Sequence, residues 1–132
     1  MSENGTIKTH RDLLVWQKAM NLTDYIYDIA RKFPGHECFG LWSQITRAAV
    51  SVAANITEGH ARYSRKDFAY FIVLSRSSLM EVDTLLHIAR RQGYISPDEA
   101  QAGFARIEEL SKMLTSLRRK LTGDWQSKNK AA

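Results

Sequence analysis

Apolar residues return every three or four positions through four separate stretches of this chain, which is the period of helices packed on one face and not of strands. Leu13, Trp16, Met20, Ile26, Ile29, Ala30 and Phe33 mark a first helix over about Asp12 to Phe33. Asp12 is its expected N-cap or first-turn acid and Pro34-Gly35 its stop. A second helix is predicted over Leu41 to Glu58, closed by Gly59 at the C′ position. The third begins after Ser64, a capping hydroxyl with Asp67 three residues on. It runs through Phe68, Phe71, Ile72, Leu79, Val82 and Leu86 to Arg91, and Gly93 ends it. The fourth opens on Ser96-Pro97-Asp98-Glu99: an N-cap serine, proline at N1 and an acid at N3. Phe104, Ile107, Leu110, Leu114, Leu117 and Leu121 then form a stripe before Gly123. The connections are a few residues long, so consecutive helices are antiparallel neighbours. The predicted fold is all-α, an antiparallel up-down-up-down four-helix bundle over residues 11–122. A polar tail at 1–10 and a basic tail at 123–132 flank it.

Composition agrees. Only 7 Gly and 2 Pro in 132 residues leave too few turn formers for an all-β fold. The single cysteine, Cys38, cannot form an intramolecular disulfide, which points to a reducing compartment and a cytoplasmic protein. Met1 to His10 are polar and do not read as a signal peptide. No apolar run approaches ~18 residues, so no membrane span is expected.

The second helix lacks the polar outer side of an ordinary bundle helix. Between Leu41 and Gly59 its only formal charges are Arg47 and Glu58. Leu41, Ile45, Ala48, Ala49, Val52 and Ile56 form one apolar face, and Trp42, Thr46, Val50, Ala53, Ala54 and Thr57 form a further uncharged side. From Phe68 to Met80 the third helix carries only Arg76. Four helices cannot enclose one of their own, so a second copy of the chain is the expected cover: a homo-oligomer. Arg47, Ser51, Asn55 and Glu58 line up as a polar stripe beside the apolar face. Together with Glu81 they are expected to form a structural polar network. Arg47 and Glu58 would find partners among Arg76, Glu81 and Asp83 of the third helix, or on a neighbouring subunit.

The run Gln44-Ile45-Thr46-Arg47-Ala48-Ala49-Val50-Ser51-Val52-Ala53-Ala54-Asn55-Ile56-Thr57-Glu58-Gly59 resembles the signature of a bacterial four-helix-bundle family. That family is named after 23S rRNA intervening-sequence proteins and is related to the accessory variability determinants of diversity-generating retroelements. Val15 to Met20, Phe33-Pro34, and the block from Phe68 through Ser78 and Glu81 to Leu86 are similar too. At Ser75-Arg76-Ser77 the sequence departs from the small residues, often alanine and glycine, usual in the family. The resemblance spans about Asp12 to Leu121. It implies an antiparallel four-helix bundle, a ring-like homopentamer, and a poorly defined function with nucleic-acid binding among the relatives. The number five comes from the resemblance alone.

The net charge is +5, from 19 Lys and Arg against 14 Asp and Glu. An up-down-up-down bundle gathers at one pole the start of the first helix, the end of the second, the start of the third and the end of the fourth. Ten cations fall there with the tails: Lys8, Arg11, Arg62, Arg65, Lys66, Arg118, Arg119, Lys120, Lys128 and Lys130. The acids are Glu3, Asp12, Glu58, Asp67 and Asp124, so the rest of the chain balances nine against nine. His10, His60, Tyr63 and Trp125 lie near this pole and are able to stack on bases. One account of the pole is a phosphate-binding surface, with Lys8, Arg11, Arg62, Arg65, Lys66, Arg118, Arg119 and Lys120 as the nucleic-acid-binding residues. The other is a solvated bundle end whose cations complement the dipole of the fourth helix.

Enzyme signatures are missing. There is no Glu-x-x-His pair for a ferritin-like centre, no P-loop, no dinucleotide fingerprint and no Gly-x-Ser-x-Gly. Asp83 and His87 supply only two ligands, and Cys38 stands alone beside His36 and Glu37. No catalytic residue, metal or cofactor is assigned. Two functions remain from the sequence: a nucleic-acid-binding oligomer using RNA or DNA phosphates, and a scaffold whose basic pole meets an acidic protein partner.

Overall fold

A computed structural model describes residues 8–123 of the chain. Four helices make the fold: α1 (Leu14–Ala30), α2 (Leu41–His60), α3 (Arg65–Arg91) and α4 (Pro97–Leu121). Single 3₁₀ turns at His10–Asp12 and Gly35–Glu37 lead into α1 and α2. Each helix packs on two others in a closed cycle, α1 on α2, α2 on α3, α3 on α4 and α4 on α1. Partners descend one helix as they climb the next, which makes every neighbour antiparallel. Ser51 meets Ser78 while Gly59 lies against Phe68. Leu86 abuts Gly103 while Arg65 reaches Lys120. Lys18 pairs with Glu109 while Lys32 pairs with Glu99. The core is one cluster, with Leu22 and Ile26 of α1, Ile45, Val52 and Ile56 of α2, Ile72, Leu79 and Leu86 of α3, and Leu110 and Leu114 of α4 almost wholly removed from water. No helix among the described residues is long and apolar enough to cross a membrane.

The predicted starts of α3 and α4 are built as their sequences suggest. Ser64 Oγ accepts from the Asp67 amide at 3.0 Å. Ser96 and Glu99 exchange bonds reciprocally, at 3.1 and 2.9 Å, behind Pro97. Gly93 adopts φ 78° and ends α3 by a Schellman turn, its amide on Arg90 O and the Tyr94 amide on Ala89 O.

Other expectations are corrected. Asp12 does not cap α1; its carboxylate folds back onto the amides of Lys8 and Thr9, closing the 3₁₀ turn that precedes the helix. The inward face of the first turns of α1 also differs from the expected one. Val15, Ala19 and Leu22 enter the core, while Trp16 is half-buried and Met20 is 38% exposed. Gly59 is not a C′ residue, for α2 continues to His60. A Cβ there would sit 2.7 Å from Phe71 Cβ and 2.9 Å from Phe68 Cδ1, so α2 and α3 approach at Gly59 too closely for a side chain on α2.

Glu37 supplies the cap that α2 cannot draw from Gly40. Its Oε1 accepts the Leu41 amide at 2.9 Å, and its Oε2 accepts the Tyr94 hydroxyl at 2.9 Å across the bundle end. These bonds, the Leu41 amide first and then Tyr94, hold the carboxyl below the ordinary glutamate range. A depressed folded-state value means folding favours the ionised form. Its contribution is full above the value of a free glutamate, ~4.3, and is lost as pH falls through and below it. Glu37→Gln is therefore expected to melt below the wild type near neutrality, with the gap closing as pH drops to ~3. A gap independent of pH contradicts this assignment.

Candidate nucleic-acid interface

Four helix ends meet at the pole that holds the predicted cations. Leu13 and Leu14, at the start of α1, line a groove with Met113, Leu117 and Lys120 of α4. His60 at the end of α2 packs edge-on against Phe68 of α3 with ring centroids 5.7 Å apart. Arg65 at the start of α3 donates from Nε to Leu121 O at 3.2 Å and from its guanidinium to Lys120 O. Within residues 8–123 this pole carries Lys8, Arg11, Arg62, Arg65, Lys66, Arg118, Arg119 and Lys120 against Asp12, Glu58 and Asp67. The remaining described residues hold nine cations and nine acids. Glu3, Asp124, Trp125, Lys128 and Lys130, also assigned to this pole, lie outside the described residues, as does most of both predicted tails.

The eight cations are not equivalent. Arg65 donates to two terminal carbonyls of α4, Leu121 O and Lys120 O, the second of which also accepts the Gly123 amide at 3.1 Å, so it is a cap for its neighbour. Arg62 bonds Glu58 at 2.8 Å and lies over the Phe71 ring at 4.6 Å. Arg118 is half-buried in a groove lined by Ile72, Val73, Arg76 and Thr115. Lys66, Arg119 and Lys120 are exposed, and their side chains form no hydrogen bond or ion pair with other described residues. The backbone of Lys8 and of Arg11 is engaged, in a bond to Asp12 and in one from Gln17 Nε2, while both side chains stay in solvent.

Helix dipoles distinguish these residues further. Arg118, Arg119 and Lys120 sit in the last turn of α4, where positive charge is favourable. Lys66 sits in the first turn of α3, at the positive end of that dipole, where a cation is unfavourable. Arg65 shares that position and is compensated by the α4 carbonyls; Lys66 has no such compensation among the described residues. Helix stability therefore does not explain Lys66.

The polar stripe of α2 is arranged differently from its prediction. Ser51 Oγ meets Ser78 Oγ at 2.9 Å, and Asn55 Nδ2 donates to Ser51 O and Oγ at 2.9 and 3.0 Å. Ser75, wholly buried, donates to Val52 O at 2.7 Å. Short side chains thus fill the α2–α3 seam, and long charged ones are turned out of it. Glu58 pairs with Arg62 of its own chain segment, not with α3. Arg47, Arg76 and Glu81 are exposed and make no ion pair among the described residues. Asp83 faces His87 at 3.7 Å. Ser75 and Ser78 were not anticipated as members of the network; a serine mid-helix is an ambiguous signal until its partner helix is known.

The uncharged side of α2 is smaller than the sequence suggested. Thr46 and Ala53 are buried within this single bundle, and Trp42 packs edge-on against Tyr27 at 6.2 Å. Val50 and Ala54 stay exposed on α2, and Tyr70 and Val73 stay exposed on α3. Among the described residues no group of three His, Cys, Asp or Glu is placed to hold a metal ion.

Fold and pole define a class: an antiparallel four-helix bundle with its excess positive charge at one end. The chain belongs to the 23S rRNA-intervening sequence protein family, whose model matches residues 11–116. The fold is shared with the crystal structure of a protein of unknown function from the S23 ribosomal protein family of Bacteroides thetaiotaomicron VPI-5482. The two are 23% identical with a TM-score of 0.74, over 80% of this chain and 99% of that one. No curated protein matches the chain.

Proposed function

We propose that this chain is a non-enzymatic, oligomeric cytoplasmic protein whose basic pole holds the phosphate backbone of RNA or DNA. One observation carries the proposal: the whole charge excess of residues 8–123 lies at one pole, eight cations to three acids, while the rest is balanced. Phosphate binding by such a surface releases counterions and weakens steeply with salt. A fluorescently labelled strand is expected to bind at ~50 mM salt and to lose about 10³-fold in affinity by ~200 mM, if some six phosphates are engaged across adjacent subunits. No binding at ~50 mM contradicts the proposal. Capture of a protein that survives nuclease treatment, without nucleic-acid binding, would favour an acidic protein partner instead.

A second copy is the proposed cover for the outer faces of α2 and α3, where Val50, Tyr70, Val73 and Ile88 are 40–59% exposed. A ring of parallel subunits would join their poles into one positive surface; five subunits follow from the family resemblance. Sedimentation is expected to show an oligomer that Val50→Asp with Tyr70→Asp dissociates. A wild-type monomer at micromolar concentration contradicts this part.

A further inference from the structure

Tyr63 is the most exposed of the large apolar side chains, at 106% of the reference area, and lies at the basic pole. It stands in the short turn between α2 and α3, flanked by Arg62 and three residues before Lys66. Its neighbours turn inward. His60 packs edge-on against Phe68, and Arg62 lies over Phe71. The Tyr63 ring makes no ring contact and its hydroxyl no hydrogen bond among the described residues. The ring therefore adds nothing to the fold, while presenting a free aromatic face among cations. Phe39, 96% exposed, is the corresponding ring at the opposite end. That end is balanced in charge, with Asp28 on Arg31 and Glu99 on Lys32.

We infer that Tyr63 is a stacking platform for an unpaired base, so that the basic pole takes single-stranded in preference to duplex nucleic acid. The inference rests on the phosphate-binding function proposed above. A duplex offers its phosphates but keeps its bases stacked on one another. A single strand offers phosphates to Lys66, Arg119 and Lys120 and a free base face to Tyr63. Such stacking tolerates any base and either sugar, because every base has a π-face.

The test is fluorescence anisotropy of the full chain with oligouridylate, oligodeoxythymidylate and a duplex, each of about 12 nucleotides. Both single strands are expected to bind more tightly than the duplex. Tyr63→Ala is expected to weaken single-strand binding by about five- to one-hundred-fold and to change duplex binding by less than about two-fold. Tyr63→Trp is expected to retain single-strand binding, and Phe39→Ala to leave it unchanged. Equal binding of strand and duplex, with no effect of Tyr63→Ala, overturns the inference and leaves phosphate binding standing. No binding of any probe overturns both. An altered sedimentation coefficient for Tyr63→Ala with unaltered binding makes the ring an interface residue and also overturns it.

Discussion

Alanine at Lys66, Arg119 and Lys120 together is expected to weaken nucleic-acid binding about 10²- to 10³-fold at ~0.1 M salt, with the fold intact. The size follows from the loss of about one counterion-release step per cation, compounded over three sites. The choice of residues follows from the division at the pole. Arg65 closes the end of α4 through Lys120 O and Leu121 O, so its removal would mix stability with binding. Arg62 is held between Glu58 and Phe71. Lys66, Arg119 and Lys120 form no side-chain hydrogen bond or ion pair with other described residues; Arg119 and Lys120 complement the α4 dipole, a contribution of only about 0.3–1 kcal/mol each at an exposed helix end. Circular dichroism of the triple variant should match the wild type, and a lost helical signal would show that these side chains support the bundle instead.

Gly59→Ala is expected to destabilise the protein by about 1–3 kcal/mol, against the usual direction of glycine-to-alanine changes inside helices. The new methyl would meet Phe71 Cβ at 2.7 Å and Phe68 O at 3.2 Å, atoms fixed close to the α3 backbone. Relief requires α2 and α3 to separate, which stretches the Ser75 bond to Val52 O and the Ser51–Ser78 bond farther along the same seam. Chemical denaturation measures the loss directly. An unchanged or raised midpoint would mean that the seam has slack at this position.

The helices were legible because their signals are local. Ser96-Pro97-Asp98-Glu99 satisfies its own amides within one turn, and Ser64 does the same with Asp67. The apolar stripes of α2 and α4 likewise report only on their own helix. What escaped depends on residues distant in sequence. Glu37 caps α2 with one oxygen and with the other accepts the hydroxyl of Tyr94, 57 positions later, a partner that local pattern does not reveal. Arg65 reads as a surface cation until the end of α4, about 55 residues on, is placed beside it. Gly59 carries the same letter whether it ends a helix or admits a neighbouring one, and only α3 decides between them. The first turns of α1 offer two apolar stripes side by side, Trp16–Met20 and Val15–Ala19–Leu22, and only packing against α2 and α4 selects the second. The pole itself was legible, since helix order and short loops fix which ends meet. Its division into caps and free cations was not.

The central claim is that the position of the charge matters, not its amount. It is tested most directly by comparing two variants of equal net charge, each lacking three cations. One carries Lys66→Ala, Arg119→Ala and Lys120→Ala; the other carries Arg31→Ala, Arg90→Ala and Arg91→Ala at the opposite pole. The slope of log affinity against log salt is expected to fall in magnitude by about 3 for the first and to stay at the wild-type value for the second. Equal reductions in the two variants would contradict the account.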